Sequence, residues 1–386
     1  MKVFIIAGEP SGDRLGGALM HGLKARVPDV SFEGIGGERM LEEGLQSLFP
    51  MDEISIMGIT EILRHYGALK ARIRQTADAI VAAKPDVLIT VDLPEFSLRV
   101  AKLVKERSDI RTVHYVAPTV WAWRPGRAAK MAKHIDQVLA LLPFEPPYME
   151  AAGMRCDFVG HPVVTDPQAS HSEEAEFRLR HGIGDAPLCL ILPGSRRSEI
   201  SRLGPVFGEA LEQLRDARPE LRYVLPMAGP VADLVRETVA DWPVNPILLD
   251  PRAQGEAGKA EKRAAFAAAD VALAASGTVA LELAAASTPM VVAYDMGWLS
   301  RQIISRLMLV DSVNLVNLVT GSRSVPEYVG DACRPGPIAD AVLRVLDAPQ
   351  EQIAAMRDTM EQLGKGGPPP GQRAADAVLD GIRRAG

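Results

Sequence analysis

Short apolar runs punctuate this chain at regular intervals, and each is followed by a turn and then by a longer stretch with helical periodicity. In the first half, Val3–Ala7, Ser31–Ile35, Val87–Val91, Thr112–Val116, Gln137–Leu142 and Asp157–Val159 read as strands. Asp13–Arg26, Gly58–Ala83, Glu95–Glu106 and Arg124–His134 read as helices. Such alternation predicts a parallel sheet with helices on both faces. Val164–Pro187 is polar and turn-rich and interrupts the pattern. It restarts with Leu188–Leu192, Tyr223–Pro226, Ile247–Leu249, Val271–Ala274 and Met290–Ala293. Arg252–Arg263, charged and glycine-containing, predicts a mobile loop running into a helix. Gly364–Gly371 (GKGGPPPG) stops one helix before a last one, Gln372–Arg384. The expected class is α/β, with two Rossmann-like domains facing a central cleft. The expected division is 1–170, 171–365, and a terminal helix, 366–386, crossing back to the first domain.

Composition narrows this picture. At 386 residues the chain is long for one domain and natural for two. With 47% hydrophobic residues it can fill two cores, so it is not a disordered protein. A net charge of −6 disfavours nucleic acid as a partner. The cysteines, Cys156, Cys189 and Cys333, are far apart and match no zinc spacing, which favours a reduced cytosolic setting. MKVFIIAG is too short an apolar run for a secretory signal, and no run is long enough for a membrane span.

The candidate chemistry sits after the strands. KVFIIAGEPSGD (Lys2–Asp13) and PLCLILPGSRRSE (Pro187–Glu199) are the same device: strand, Gly/Ser turn, helix. Helix N-termini at the carboxyl ends of parallel strands suit phosphate. Two such turns, one opening each half, suggest a nucleotide-linked substrate held between two lobes. Gly8, Ser11 and Gly12 form the first turn, which also reads as a tight connection with Asp13 capping its helix. Neither a dinucleotide GxGxxG nor a Walker A loop is present. In the second turn, Ser195 and Arg196 open a helix where the dipole disfavours positive charge, so an anion there is one reading and solvated arginines the other. Ser276, Gly277 and Thr278 follow another apolar strand. Gly277 lets a phosphate approach, Ser276 or Thr278 can cap, and Glu282 lies one turn on, where it can accept ribose hydroxyls or face water.

Asp92 ends an apolar strand. Its Asp-x-x-Glu spacing also fits a helix cap. Trp121 and Trp123 follow another strand and either line a sugar or lipid site or pack. His161 reads as structural more readily than catalytic. Met57–Arg74 is apolar with late basic residues, which fits a core helix or an interfacial one meeting anionic lipid.

AGEPSGD, MGITEIL, Asp92-x-Pro, HYVAPTVWAWRPGR, LPFE, VGHP, LPGSRRSE, ASGTVALE, PMVVAY and NLVNLVTG, in this order, resemble the lipid-A-disaccharide synthases over nearly the whole chain. The resemblance implies an inverting, metal-independent glycosyltransferase of GT-B architecture, with an acceptor-binding first domain and a UDP-sugar-binding second one, and with no cofactor. It implies UDP-2,3-diacylglucosamine and 2,3-diacylglucosamine 1-phosphate as substrates and a β-1,6-linked disaccharide 1-phosphate and UDP as products. A place on the inner face of the bacterial inner membrane is implied too, with peripheral contact to anionic lipid; a homodimer is compatible. Asp92 is then the general base, and Arg196 a diphosphate contact. Ser195, Ser276, Gly277, Thr278, Glu282 and Asn317 surround UDP; Gly8, Ser11, Gly12, Trp121 and Trp123 serve the acceptor or the cleft. Two residues depart from the family pattern, Val316 where proline is usual and Gly330 where glutamine is. A UDP-N-acetylglucosamine 2-epimerase shares the architecture and is the alternative. A nicotinamide dehydrogenase is disfavoured by the missing fingerprint.

Overall fold

Apolar runs too short for buried helices become the strands of two parallel sheets in the computed structural model, which describes residues 1–55, 59–124, 126–253, 255–297 and 308–385, with side chains described except at 59–66, 253 and 385. The first sheet contains β1 (Lys2–Ala7), β2 (Ser31–Ile35), β3 (Gln46–Ser47), β4 (Val87–Val91), β5 (Arg111–Tyr115), β6 (Gln137–Ala140) and β7 (Arg155–Phe158), in the order β3-β2-β1-β4-β5-β6-β7. The second contains β8 (Leu188–Leu192), β9 (Arg222–Pro226), β10 (Ile247–Leu249), β11 (Val271–Ala275), β12 (Met290–Tyr294) and β13 (Glu327–Val329), in the order β10-β9-β8-β11-β12-β13. Neighbouring strands pair in parallel throughout. The edge strands β3 and β13 were not foreseen. Each is only two or three residues long, too short to show a period.

The chain divides into two compact units, Met1–Thr165 with Leu363–Gly386, and Asp166–Gln362. The switch thus falls a few residues before the expected 170/171 boundary, and the return begins at Leu363 rather than 366. Burial on both sheet faces explains why β1, β8 and β11 read as nearly continuous apolar runs. Alternate residues of β1 serve different cores. Val3, Ile5 and Ala7 pack with Leu19 and Leu23 of helix Pro10–Lys24 and with Ala375 and Val378 of helix Pro370–Ala385. Phe4 and Ile6 pack with Ile73 and Ile80 of helix Ile59–Ala83 and Val100 of helix Pro94–Lys105. In the second unit, Cys189 and Ile191 of β8 meet Leu203 and Phe207 of helix Arg197–Ala217 and Val342 of helix Pro335–Asp347.

The terminal helix is fixed on the first unit by close approach and by polar clamps. A Cβ on Gly371 would fall 2.5 Å from the carbonyl oxygen of Ala18, so only glycine allows this approach. Arg155 meets Asp380 at 2.7 Å, and the Gln137 amide donates to the Ala377 carbonyl at 2.9 Å.

Two local expectations are corrected. Asp13 does not cap its own helix, because it lies inside that helix, buried. Its carboxylate accepts from the backbone N–H of Gly37 (2.8 Å), Arg39 (2.9 Å) and Met40 (3.1 Å), and so caps the neighbouring helix Glu38–Glu42. In the segment expected to be a mobile loop running into a helix, the helix is present as Gly255–Ala268 and takes up most of the expected loop. Arg252 before it pairs with Asp250 and Asp233.

Candidate functional site

In each sheet the strand order reverses at one place, between β1 and β4 in the first and between β8 and β11 in the second. Crevices at the carboxyl ends of such neighbours are where open α/β sheets bind ligands. The register sets Ala7 beside Val91 and Leu192 beside Ala274. The chain leaving these strands is Gly8–Glu9, Asp92–Leu93, Pro193–Arg196 and Ser276–Thr278, so both pairs of turns singled out by sequence meet at switch points.

At the second switch point lies a cavity of about 600 Å³, within the range of small-molecule sites. Gly194, Ser195 and Arg196 line it after β8, Pro226, Met227 and Ala228 around the end of β9, and Ser276, Gly277 and Thr278 after β11, with Glu282 one turn further. A Cβ placed on Gly277 would meet nothing within 4 Å, so the glycine faces open space. Thr278 holds the N-cap position of helix Val279–Ala285 but makes no capping bond, and Ser276 donates instead to the Val313 carbonyl at 3.1 Å. Neither hydroxyl caps that helix.

The turn after β8 is built by a residue that sequence reasoning missed. Glu199, buried, accepts from the N–H groups of Ser195 (2.9 Å) and Arg196 (3.2 Å) and holds the Arg196 guanidinium at 3.2 Å. Those two N–H groups are therefore satisfied internally, and the cations left at this turn are the Arg196 side chain, 77% exposed, and the exposed Arg197. Gly194 has φ +114°, and a Cβ there would lie 2.4 Å from the Glu199 carboxylate; only glycine fits. The Ser-x-x-x-Glu spacing within PGSRRSE was the available signal. Lys262 also lines the cavity, with Nζ 2.6 Å from Oε2 of Glu282.

Asn317 is not among the lining residues. It is wholly buried, its Nδ2 donating to the Val325 carbonyl (2.8 Å) and Glu327 (3.1 Å) while its Oδ1 accepts from the Val325 N–H (3.0 Å). Its hydrogen-bonding capacity is spent pinning the chain that leads to β13. In this conformation those bonds give Asn317 a structural place behind the cavity's lining.

The first switch point is a different environment. Asp92 and Leu93 both have positive φ, +52° and +48°, conformations that cost roughly 1–3 kcal/mol each for non-glycine residues. Pro94 keeps Leu93 from the right-handed helical region, and Leu93, not Asp92, holds the N-cap of helix Pro94–Lys105. No side chain caps that helix, so the capping role weighed for Asp92 is set aside. Burial pushes the Asp92 carboxyl above its ordinary value, opposed by a bond from the Leu93 N–H. Glu9, at the N-cap of helix Pro10–Lys24, is raised by burial and then by the charge of Asp92. A second acid therefore stands beside the proposed base, one that sequence reading left without a role.

Gly8 is explained by packing: a Cβ there would fall 2.2 Å from Cδ2 of Leu93. Gly12 is buried against Ala7 and Val91, and Ser11 is exposed. Trp121 is turned inward; its Nε1 donates to Glu145 at 3.2 Å and its ring meets Phe144 edge-on at 5.1 Å. Glu145 also accepts from the N–H groups of Leu141 and Leu142, and burial raises it to about 7. Trp123, partly exposed, stacks with Arg124 at 4.1 Å. His161 accepts from the Val163 N–H at 3.2 Å and is pushed down to about 4 by burial, with Arg14 assisting. His114 is also held at about 4 by burial, its Nδ1 2.7 Å from the Thr90 hydroxyl. Among the described residues no group of three His, Cys, Asp or Glu is placed to hold a metal ion.

The family model for lipid-A-disaccharide synthetase matches residues 3–369. Lipid-A-disaccharide synthase of Ruegeria pomeroyi is 62% identical over 381 residues, covering 98% of this chain and 95% of that protein. Its counterpart in Rhodospirillum centenum is 48% identical, covering 100% and 95%. The chain belongs to the lipid-A-disaccharide synthase family. It is therefore an enzyme of glycosyl transfer, and its resemblance to that family, first carried by short motifs, now holds over its length. Solved structures give the fold alone. UDP-GlcNAc 2-epimerase from Neisseria meningitidis aligns with TM-score 0.62 at 13% identity, covering 100% of both chains. Acinetobacter baumannii MurG aligns with TM-score 0.52 at 14% identity, covering 99% of each. These share the two-domain GT-B fold with the synthase family. The epimerase alternative is left with that likeness of fold, whereas the synthase reading has identity along the whole sequence.

Proposed function

We propose that the chain joins UDP-2,3-diacylglucosamine to 2,3-diacylglucosamine 1-phosphate through a β-1,6 bond and releases UDP. The observation that carries the reading is the cavity at the β8–β11 switch point, where Arg196, Gly277 and Glu282 offer a cation, an open backbone and a carboxylate to one ligand. Arg196 serves the diphosphate, with Ser195, Ser276 and Thr278 beside it, and Glu282 serves the ribose. The acceptor's 6-hydroxyl attacks the anomeric carbon, the bond from that carbon to the diphosphate breaks with inversion, and the hydroxyl proton passes to Asp92. A carboxylate raised by burial is a stronger base than a solvated one. Charge developing on departing UDP is met by Arg196. No metal or cofactor is assigned to the reaction, and turnover is expected to persist in EDTA; a rate that collapses and returns with Mg²⁺ overturns that part. Incubation with both lipid substrates, with product mass measured, tests the whole. A disaccharide 1-phosphate is expected. Release of UDP without acceptor would return the epimerase reading.

Contact with the anionic inner face of the inner membrane, and a homodimer, belong to the same proposal. No described helix is long and apolar enough to cross a membrane. Both substrates carry acyl chains, which supports surface docking. Within Met57–Arg74, Met57 and Gly58 and the side chain of Arg64 lie outside the described residues. Leu69 and Ile73 are buried in the core, and Arg72 pairs with Glu53 and stacks on Phe49 at 4.4 Å. The later part of this segment is thus a core helix, and Lys70 and Arg74 are its exposed cations. Sedimentation with anionic vesicles tests the docking, and sedimentation velocity the dimer.

A further inference from the structure

Lys262 stands on helix Gly255–Ala268 and reaches the cavity that Arg196 and Glu282 also line. Its ammonium is 2.6 Å from Oε2 of Glu282, with both side chains about half-exposed. The same ammonium lies 5.0 Å from the ring centroid of Phe266, one turn further along its helix. Phe266 is buried, and its carbonyl accepts from the Thr288 hydroxyl at 2.7 Å, so the ring is a fixed platform. A lysine seated over a fixed ring and against a carboxylate has fewer rotamers to lose than a free one. Glu282 gains a fixed partner in turn. Its side chain has three rotatable bonds and begins in the first turn of helix Val279–Ala285. The contact engages one carboxylate oxygen and leaves the other to accept from a sugar hydroxyl.

We propose that Lys262 is a positioning residue, holding the Glu282 carboxylate for the ribose and thereby setting the preference for a ribonucleotide over a 2′-deoxyribonucleotide. The inference rests on the assignment of this cavity to UDP. A carboxylate placed to accept a hydroxyl penalises the ligand that lacks it, because the oxygen is then left without its donor. A carboxylate free to swing turns to water and penalises less. Lysine is also a phosphate binder in its own right, acting as a point charge. That role predicts a different pattern of losses.

Calorimetry on wild type, Lys262→Met, Lys262→Arg and Glu282→Gln, with UDP, 2′-deoxy-UDP and inorganic pyrophosphate, separates the two. Methionine retains the stem over Phe266 and removes the charge. Wild type is expected to prefer UDP over 2′-deoxy-UDP by about tenfold. Lys262→Met is expected to weaken UDP by about 3- to 10-fold, to bring the preference near unity, and to leave pyrophosphate unchanged. Glu282→Gln should show the same pattern, and Lys262→Arg should retain the preference. Equal losses for UDP and pyrophosphate in Lys262→Met overturn the inference in favour of a phosphate contact. An unaltered preference in Lys262→Met, with UDP still bound, overturns it alone. Wild type that binds no UDP overturns the cavity assignment and this inference with it.

Discussion

The carboxyl edges of the two sheets share a topology and differ in how they meet the demands of a sharp turn. In the second unit the turn after β8 places glycine where φ is +114°, and its charged groups reach into an open cavity. In the first unit the chain after β4 forces Asp92 and Leu93 into positive φ, and the chain after β5 does the same to Val116. Of the described non-glycine residues with positive φ, Lys84, Asp92, Leu93, Val116 and Arg124 lie in the first unit and Ser287 in the second. Groups that burial holds away from their ordinary titration include half-buried Asp92 with buried His114 and Glu145 in the first unit, and buried Cys189 and Tyr223 on strands of the second. Binding a soluble, charged group asks for open backbone and solvated cations. Moving a proton asks for a carboxyl held where water does not level it, and backbone strain is one cost of holding it there.

Exchange of the strained acid should break this contrast most sharply. Asp92→Asn is expected to lower turnover by roughly 100-fold or more, since the amide cannot take a proton. Asparagine tolerates positive φ, so the fold should survive. The stability sign follows from the raised carboxyl. The cost of ionising Asp92 builds up as pH rises from 3.8, the ordinary value for aspartate, towards its raised folded value. Asp92→Asn should therefore melt at or above wild type at pH 7, with the difference vanishing below pH 3.8, the ordinary value for aspartate. A lower melting point at pH 7 would make Asp92 structural. The acid limb of the wild-type rate is likewise expected above pH 3.8.

On the other edge, Arg196→Ala should weaken UDP by about 10- to 100-fold, the worth of one hydrogen bond to a charged group, without loss of fold. Unchanged UDP affinity by calorimetry, in a protein that still melts normally, would remove Arg196 from the diphosphate. Asn317→Ala should do the reverse. It leaves the Val325 N–H and carbonyl buried without partners, and a loss of about 2–4 kcal/mol in denaturant unfolding is expected, with UDP affinity in the folded fraction kept within about threefold. Intact stability with lost binding would restore the ligand role. The smallest effect per residue is expected at the membrane. Replacing Arg64, Arg72 and Arg74 by Ser should weaken binding to anionic vesicles by about fivefold for each charge that lies near the surface, at about 1 kcal/mol each, with Arg72 contributing least because it is already paired with Glu53. No change at all would end the interfacial reading of that helix.

Much of the candidate site was legible because turn chemistry is local. Gly8, Gly194 and Gly277 follow apolar runs, and in parallel sheets the residues after strands gather at one edge. What escaped was long-range or spent inward. Asn317 looks like a contact in its motif, yet its bonds run to Val325 and Glu327, eight and ten residues away. Asp13 looks like a cap for its own helix, yet the N–H groups it serves belong to the next one. Lys262 carried no motif, and Glu282 is twenty residues on.

The sequence by itself determined the strand-helix alternation, the two sheets and the family, because period and turn residues are written in consecutive positions. Tertiary structure decided which residues share a site. Strand order placed β4 beside β1 and β11 beside β8, although Val3 and Val87, paired in the sheet, are far apart in the chain. It also decided that Trp121 packs, that Glu199 fills its own turn and that Asp92 is strained and desolvated. Burial and backbone strain arise from the surroundings that folding assembles, which no local pattern encodes.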